Sequence, residues 1–112
     1  MVRNRSNAEH YSWGAGCEGW HLLASPELSV IQERMPPGTA ESRHFHRSAR
    51  QLFFVLAGAL EIDRGAELFE LSEQDTLEVP PGVLHTVRNA GEHEALFLVV
   101  SSPASHGDRV EV

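Results

Sequence analysis

Hydrophobic residues along this chain fall in short runs, and no stretch repeats them at helical spacing for long enough to make an amphipathic helix. Turn signals stand between the runs: Pro36-Pro37-Gly38, Asp63-Arg64-Gly65, Ser72-Glu73-Gln74-Asp75, Pro80-Pro81-Gly82 and Asn89-Ala90-Gly91-Glu92. The pattern predicts an all-β chain with strands over residues 21–23, 28–35, 43–46, 51–56, 60–62, 68–71, 76–79, 84–88 and 95–100. Short strands so regularly spaced suggest a sandwich or barrel. From Gln51 to Leu56 both alternating faces are apolar except at Gln51, so both sides of that strand need cover. No helix is available to supply it. A second subunit is the expected cover, and a homodimer the expected assembly.

The barrel is expected over residues 28–101, preceded by an arm over 1–27 and followed by a tail over 102–112. In the arm, Trp13 and Trp20 sit among glycines. Buried tryptophans there either plug the barrel or dock on a partner.

Composition narrows the chemistry. The 112 residues suit one domain with one modest core. The formal net charge of −7 and the nine scattered arginines argue against a nucleic-acid partner. No apolar run reaches the roughly 18–20 residues of a membrane span, and the N-terminus has no hydrophobic signal core, so a cytoplasmic protein is expected. Cys17 is the only cysteine, which excludes an intrachain disulfide and reads as a small packing residue. There is no lysine, hence no Schiff-base chemistry, and Tyr11 is the sole tyrosine. Small-molecule or protein partners fit this balance.

The stretch His44-Phe45-His46 carries the first chemical signal. Side chains two apart on a strand share a face, so His44 and His46 present their imidazoles together. Imidazole suits Zn, Fe, Ni, Cu and Mn. Gly38 stands six before His44, Gln51 five after His46, and Gly58 seven beyond Gln51. Further along, Pro80, Gly82, His85 and Asn89 follow at fixed intervals, with Gln74 six before Pro80. Gly82 is free to take a positive φ in a tight turn that launches the strand carrying His85.

This double pattern resembles the cupin superfamily, whose motifs are G-x5-H-x-H-x(3,4)-E-x6-G and G-x5-P-x-G-x2-H-x3-N. Gln51 stands in the glutamate position and Gln74 where the first glycine of the second motif is expected. The resemblance spans about residues 29–101. It implies a conical β-barrel, the jelly roll or double-stranded β-helix, with a divalent metal (Zn, Ni, Fe or Mn) held by His44, His46, Gln51 and His85. A neutral amide in place of a carboxylate leaves the metal its full charge, a stronger Lewis acid that supports high oxidation states less well. The alternatives are a cupin that has lost its metal, or one in which Gln51 turns away to a neighbour.

The His-His-Gln-His set also resembles the small cupins of uronate metabolism, which convert an unsaturated sugar acid to its linear keto form. The segment Val99-Val100-Ser101-Ser102-Pro103 lacks the aspartate expected there as general acid/base. Candidates for that role are Glu41, with Gln32 as a hydrogen-bonder, and His106 and Asp108 if the tail folds over the mouth. A solvated terminus is the expectation for His106, Asp108 and Arg109. Arg34, followed by Arg47, is the candidate clamp for a substrate carboxylate. Three functions stay open: non-redox metal chemistry on a small carboxylate- or sugar-like molecule, an Fe(II) or Ni dioxygenase, and a non-catalytic binding module.

Overall fold

The computed structural model describes residues 1–105 and 107–112. Among them there is no helix, none therefore long and apolar enough to cross a membrane. Eleven strands run in chain order: β1 (Glu9–Trp13), β2 (Cys17–Ala24), β3 (Ser29–Met35), β4 (His44–His46), β5 (Arg50–Ala57), β6 (Leu60–Arg64), β7 (Glu67–Leu71), β8 (Thr76–Val79), β9 (His85–Arg88), β10 (Ala95–Ser102) and β11 (Arg109–Glu111). They form two antiparallel sheets, ordered β1-β2-β3-β10-β5-β8 and β11-β4-β9-β6-β7. The two close on each other as a β-sandwich barrel around a core drawn from both sheets.

The period-2 alternation is clearest in β10. Ala95, Phe97, Val99 and Ser101 are buried, while Leu96, Leu98 and Val100 lie half-buried on the outer face. The inner residues join Met35, Val55, Ile62, Val79 and Val87 in the core. Other inward positions are polar: Glu33, His44, His46, Gln51 and His85.

Residues 9–24 are more than an arm. They fold into a hairpin that extends the six-stranded sheet, with Tyr11 paired to Gly19 and Trp13 to Cys17. Trp13 plugs the inner core beside the buried Cys17. Trp20 lies on the outer face, with the Arg5 guanidinium 5.2 Å from its ring. Asp108 and Arg109 are likewise part of the fold and not a solvated terminus. β11 pairs with β4, setting Arg109 opposite His46 and Glu111 opposite His44. His106 lies outside the described residues.

Two turns position the site. Gly82, at φ 78°, closes the turn after β8, and its N–H donates to the His46 carbonyl at 2.7 Å, tying the start of β9 to β4. Asn89 ends β9 by donating to the carbonyls of Met35 and His93 and accepting from the Gly91 N–H.

Candidate metal centre

His44 and His46 reach inward from β4, and His85 from the adjacent β9, where it stands directly opposite His44. One nitrogen from each ring lies within 4.8 Å of the others, and all three side chains are buried. Each ring is fixed through Nδ1. That atom is 2.7 Å from the Ser42 carbonyl in His44, 2.9 Å from the Val83 carbonyl in His85 and 2.8 Å from Asp108 Oδ1 in His46. Carbonyls and an ionised carboxylate only accept, so each Nδ1 carries a proton, and Nε2 is the nitrogen of each ring left to ligate. Burial holds His44 neutral, its pKa lowered to about 3, and lowers His85 as well.

Gln51 approaches from β5 in the other sheet. Its Nε2 donates to Ser101 Oγ at 3.1 Å, and its Oε1 is buried with no hydrogen-bond partner. The Nε2 of His85 is in the same condition. Buried acceptors without partners are costly, so two of them, one in the three-histidine cluster and one on the lining of the adjoining cavity, mark a place suited to an electron-pair acceptor. Three imidazole nitrogens and one amide oxygen fit a divalent transition metal.

A cavity of about 250 Å³ opens beside these atoms. Glu41 lines it, with Oε1 3.8 Å from His44 Nε2, and the Arg109 guanidinium stands 3.6 Å from its other oxygen. Burial, reinforced by Glu33, pushes Glu41 up to about 8. Glu33 also lines the cavity and accepts from the Tyr11 hydroxyl at 2.7 Å. Burial outweighs that bond and the field of Arg109, lifting Glu33 to about 7. Gly19 makes the Tyr11 contact possible: a Cβ there would lie 2.2 Å from Tyr11 Cζ. The ring crosses β2 flat against a bare backbone.

Of the residues singled out in the sequence, His44, His46, Gln51 and Glu41 line this cavity, and His85 joins them through the histidine cluster. Arg34 does not. It sits on the outer face of β3, paired with Glu18 and Glu94 at 3.0 Å each, because Ile31, Glu33 and Met35 take the inner face. Arg47 is exposed at the surface. Arg109 is the arginine of the cavity wall. Sequence reasoning also passed over Glu33; its parity with Ile31 and Met35 was the available signal. Asp108 holds itself in place by accepting from the Ser48 and Ala49 N–H groups at 3.0 and 2.9 Å. Burial alone would raise its pKa, but these bonds and His46 keep it below the usual carboxylate range.

The sequence profile described as "Cupin domain" matches residues 31–101. The chain belongs to the cupin domain family. Among curated proteins, this cupin is 35% identical over 69 residues to polyketide synthase CurC of Streptomyces cyaneus, a match covering 62% of this chain. The chain spans only about half the length of such curated relatives, 45% in the case of CurC. Solved cupin folds superpose over almost the whole chain. KdgF from Halomonas sp. does so with a TM-score of 0.84 at 20% identity, covering 93% of this chain and 95% of that one. An RmlC-like cupin from Shewanella frigidimarina does so with a TM-score of 0.84 at 22% identity, covering 94% and 92%. At such identities the likeness establishes the fold.

Proposed function

We propose that this cupin is a metal-dependent enzyme that acts on a small oxygen-rich acid by non-redox chemistry of the isomerase or lyase kind. The observation that carries the reading is the pair of partnerless buried acceptors, Gln51 Oε1 and His85 Nε2, beside rings whose Nδ1 protons are all engaged. His44, His46, His85 and Gln51 would hold the metal, which when bound supplies Lewis acidity towards a substrate carbonyl or carboxylate. The remaining work falls to the chain. Glu41, retaining its proton near neutral pH, gives or takes a proton at a carboxyl oxygen facing the cavity. Arg109, beside Glu41, presents guanidinium donors towards substrate oxygens, while the Tyr11 hydroxyl stays committed to Glu33.

The resemblance of the ligand set to that of uronate-metabolising cupins supports an acid substrate. With no aspartate between Val99 and Pro103, Glu41 is our candidate for the proton-transfer role. The test is metal content by plasma mass spectrometry on untagged protein, for wild type, His46→Ala and Gln51→Ala. Stoichiometric metal lost in His46→Ala supports the centre, and loss in Gln51→Ala assigns the fourth donor. Wild type that takes up no metal on reconstitution overturns the reading, and O2 uptake by iron-loaded protein would move it to a dioxygenase.

The homodimer is proposed through the outer face of the six-stranded sheet. There Leu52 is 40% exposed, and Phe54, Leu98 and Val100 lie half-buried beside it on β5 and β10.

A further inference from the structure

The metal cavity does not end at the histidines. Along the inner face of β3 the lining changes from Glu33 to Ile31 to Ser29, a distance of about 13 Å. A second cavity of about 650 Å³ lies at that far end. It shares Tyr11, Ile31 and Ser105 with the metal cavity, so the two adjoin across a common wall. Its character differs. Ala24, Pro26 and Ala104 add apolar surface, and the His21 ring sits tilted beside Tyr11 with centroids 5.2 Å apart. With its hydroxyl tied to Glu33, Tyr11 offers ring surface on this side.

We infer that the two cavities form one bipartite ligand site, taking an oxo- or hydroxy-acid whose oxygens lie at the three histidines and whose aryl or alkyl tail lies in the groove along β3. The inference rests on the metal-centre reading and narrows it: a uniformly hydroxylated sugar would leave the apolar half of the site against hydroxyl groups. The occupant is the ligand's own tail, because the groove adjoins the polar cavity and Tyr11, Ile31 and Ser105 border both. The face proposed for the dimer is the opposite side of the sheet.

The experiment uses zinc-loaded protein and two chelating probes that share a headgroup, acetohydroxamate and 4-phenylbutanohydroxamate, with affinities from isothermal titration calorimetry. Ala24→Trp and Ala104→Trp fill the groove from two separate segments of the chain, and neither side chain is buried. The expected result is that the phenyl probe binds wild type about tenfold or more tighter than acetohydroxamate. That gain should fall below about threefold in at least one filled variant, while acetohydroxamate binds all three proteins alike. Equal affinities in wild type, or a gain retained in both variants, overturn the bipartite site but leave the metal centre standing. Zinc uptake with no binding of acetohydroxamate overturns the open centre and the bipartite site together. Should wild type show no gain and Ala24→Trp convert a dimer to a monomer by light scattering, the groove belongs to a second copy of the chain and the inference fails.

Discussion

His46 Nδ1 lies 2.8 Å from Asp108 Oδ1, although the two residues are 62 positions apart. The carboxylate fixes the ring's tautomer and leaves Nε2 facing the cavity. Asp108→Ala is expected to weaken divalent-metal binding by about 10- to 100-fold. Asp108→Asn should do at least as much harm, since its amide can donate to Nδ1 and drive the ring proton onto Nε2. Competition with a chromophoric chelator measures both. Unchanged affinity in the two variants would remove Asp108 from the site.

Gly19 and Tyr11 form a second coupled pair. Gly19→Ala must expel the Tyr11 ring, and a loss of about 1–3 kcal/mol is expected. In a Tyr11→Ala background the same substitution should cost much less, because the clash is gone. A urea-denaturation double-mutant cycle gives the coupling, and additive effects would contradict the contact.

The buried Glu33 carboxyl makes stability depend on pH. Burial raises its folded pKa from 4.5 to about 7, so the folded state binds the proton more tightly than the unfolded state. Wild type is therefore expected to lose stability relative to Glu33→Gln as pH rises from 4.5 through 7, by about 3 kcal/mol in all. Below pH 4.5 the difference between the two proteins should be flat. Urea unfolding of metal-free protein at pH 4.5, 6 and 8 reads the trend, and parallel curves would refute it.

Gln74 adopts φ 74°, a left-handed conformation at the position where the second motif has glycine. The backbone thus keeps the family's geometry while the side chain works against it. Gln74→Gly should stabilise the protein by about 0.5–1 kcal/mol, the strain relieved less the entropy glycine adds to the unfolded chain. Chemical denaturation decides the sign.

The proposed dimer predicts that wild type has twice the chain mass in light scattering at micromolar concentration. Leu98→Arg, which places a charge in the middle of the outer face, should give a folded monomer. A monomeric wild type counts against the assembly.

The strands with apolar alternation and flanking turns were legible in the sequence. Residues 51–56 extend only to Arg50–Ala57 in β5, and 95–100 to Ala95–Ser102 in β10. β1 was missed because Glu9–Trp13 is polar and largely exposed, and gains its order by pairing across the Gly14–Gly16 turn. β11 was missed for a related reason. Arg109-Val110-Glu111 has no apolar run, and its partner, β4, lies more than sixty residues upstream. In the site, spacing grouped His44 and His46, and the motif resemblance added His85 and Gln51. Arg34, chosen ahead of Arg47 as the carboxylate clamp, lies on the outer face of β3, whose two faces differ too little in hydrophobicity for alternation alone to tell inside from outside. Contacts such as His46 with Asp108 carry no sequence signal, since only the closed barrel makes them neighbours.

β11 touches only one strand of its sheet, and the hydrophobic core is drawn from residues 17–99. Fold and site consequently have different dependence on the last few residues. A chain clipped after Ser102 would keep every core side chain yet lose the partner of His46, the arginine beside Glu41 and one wall of the cavity. Such a species would pass as intact by circular dichroism and melting temperature. An intact-mass measurement belongs ahead of any metal or ligand assay on this protein.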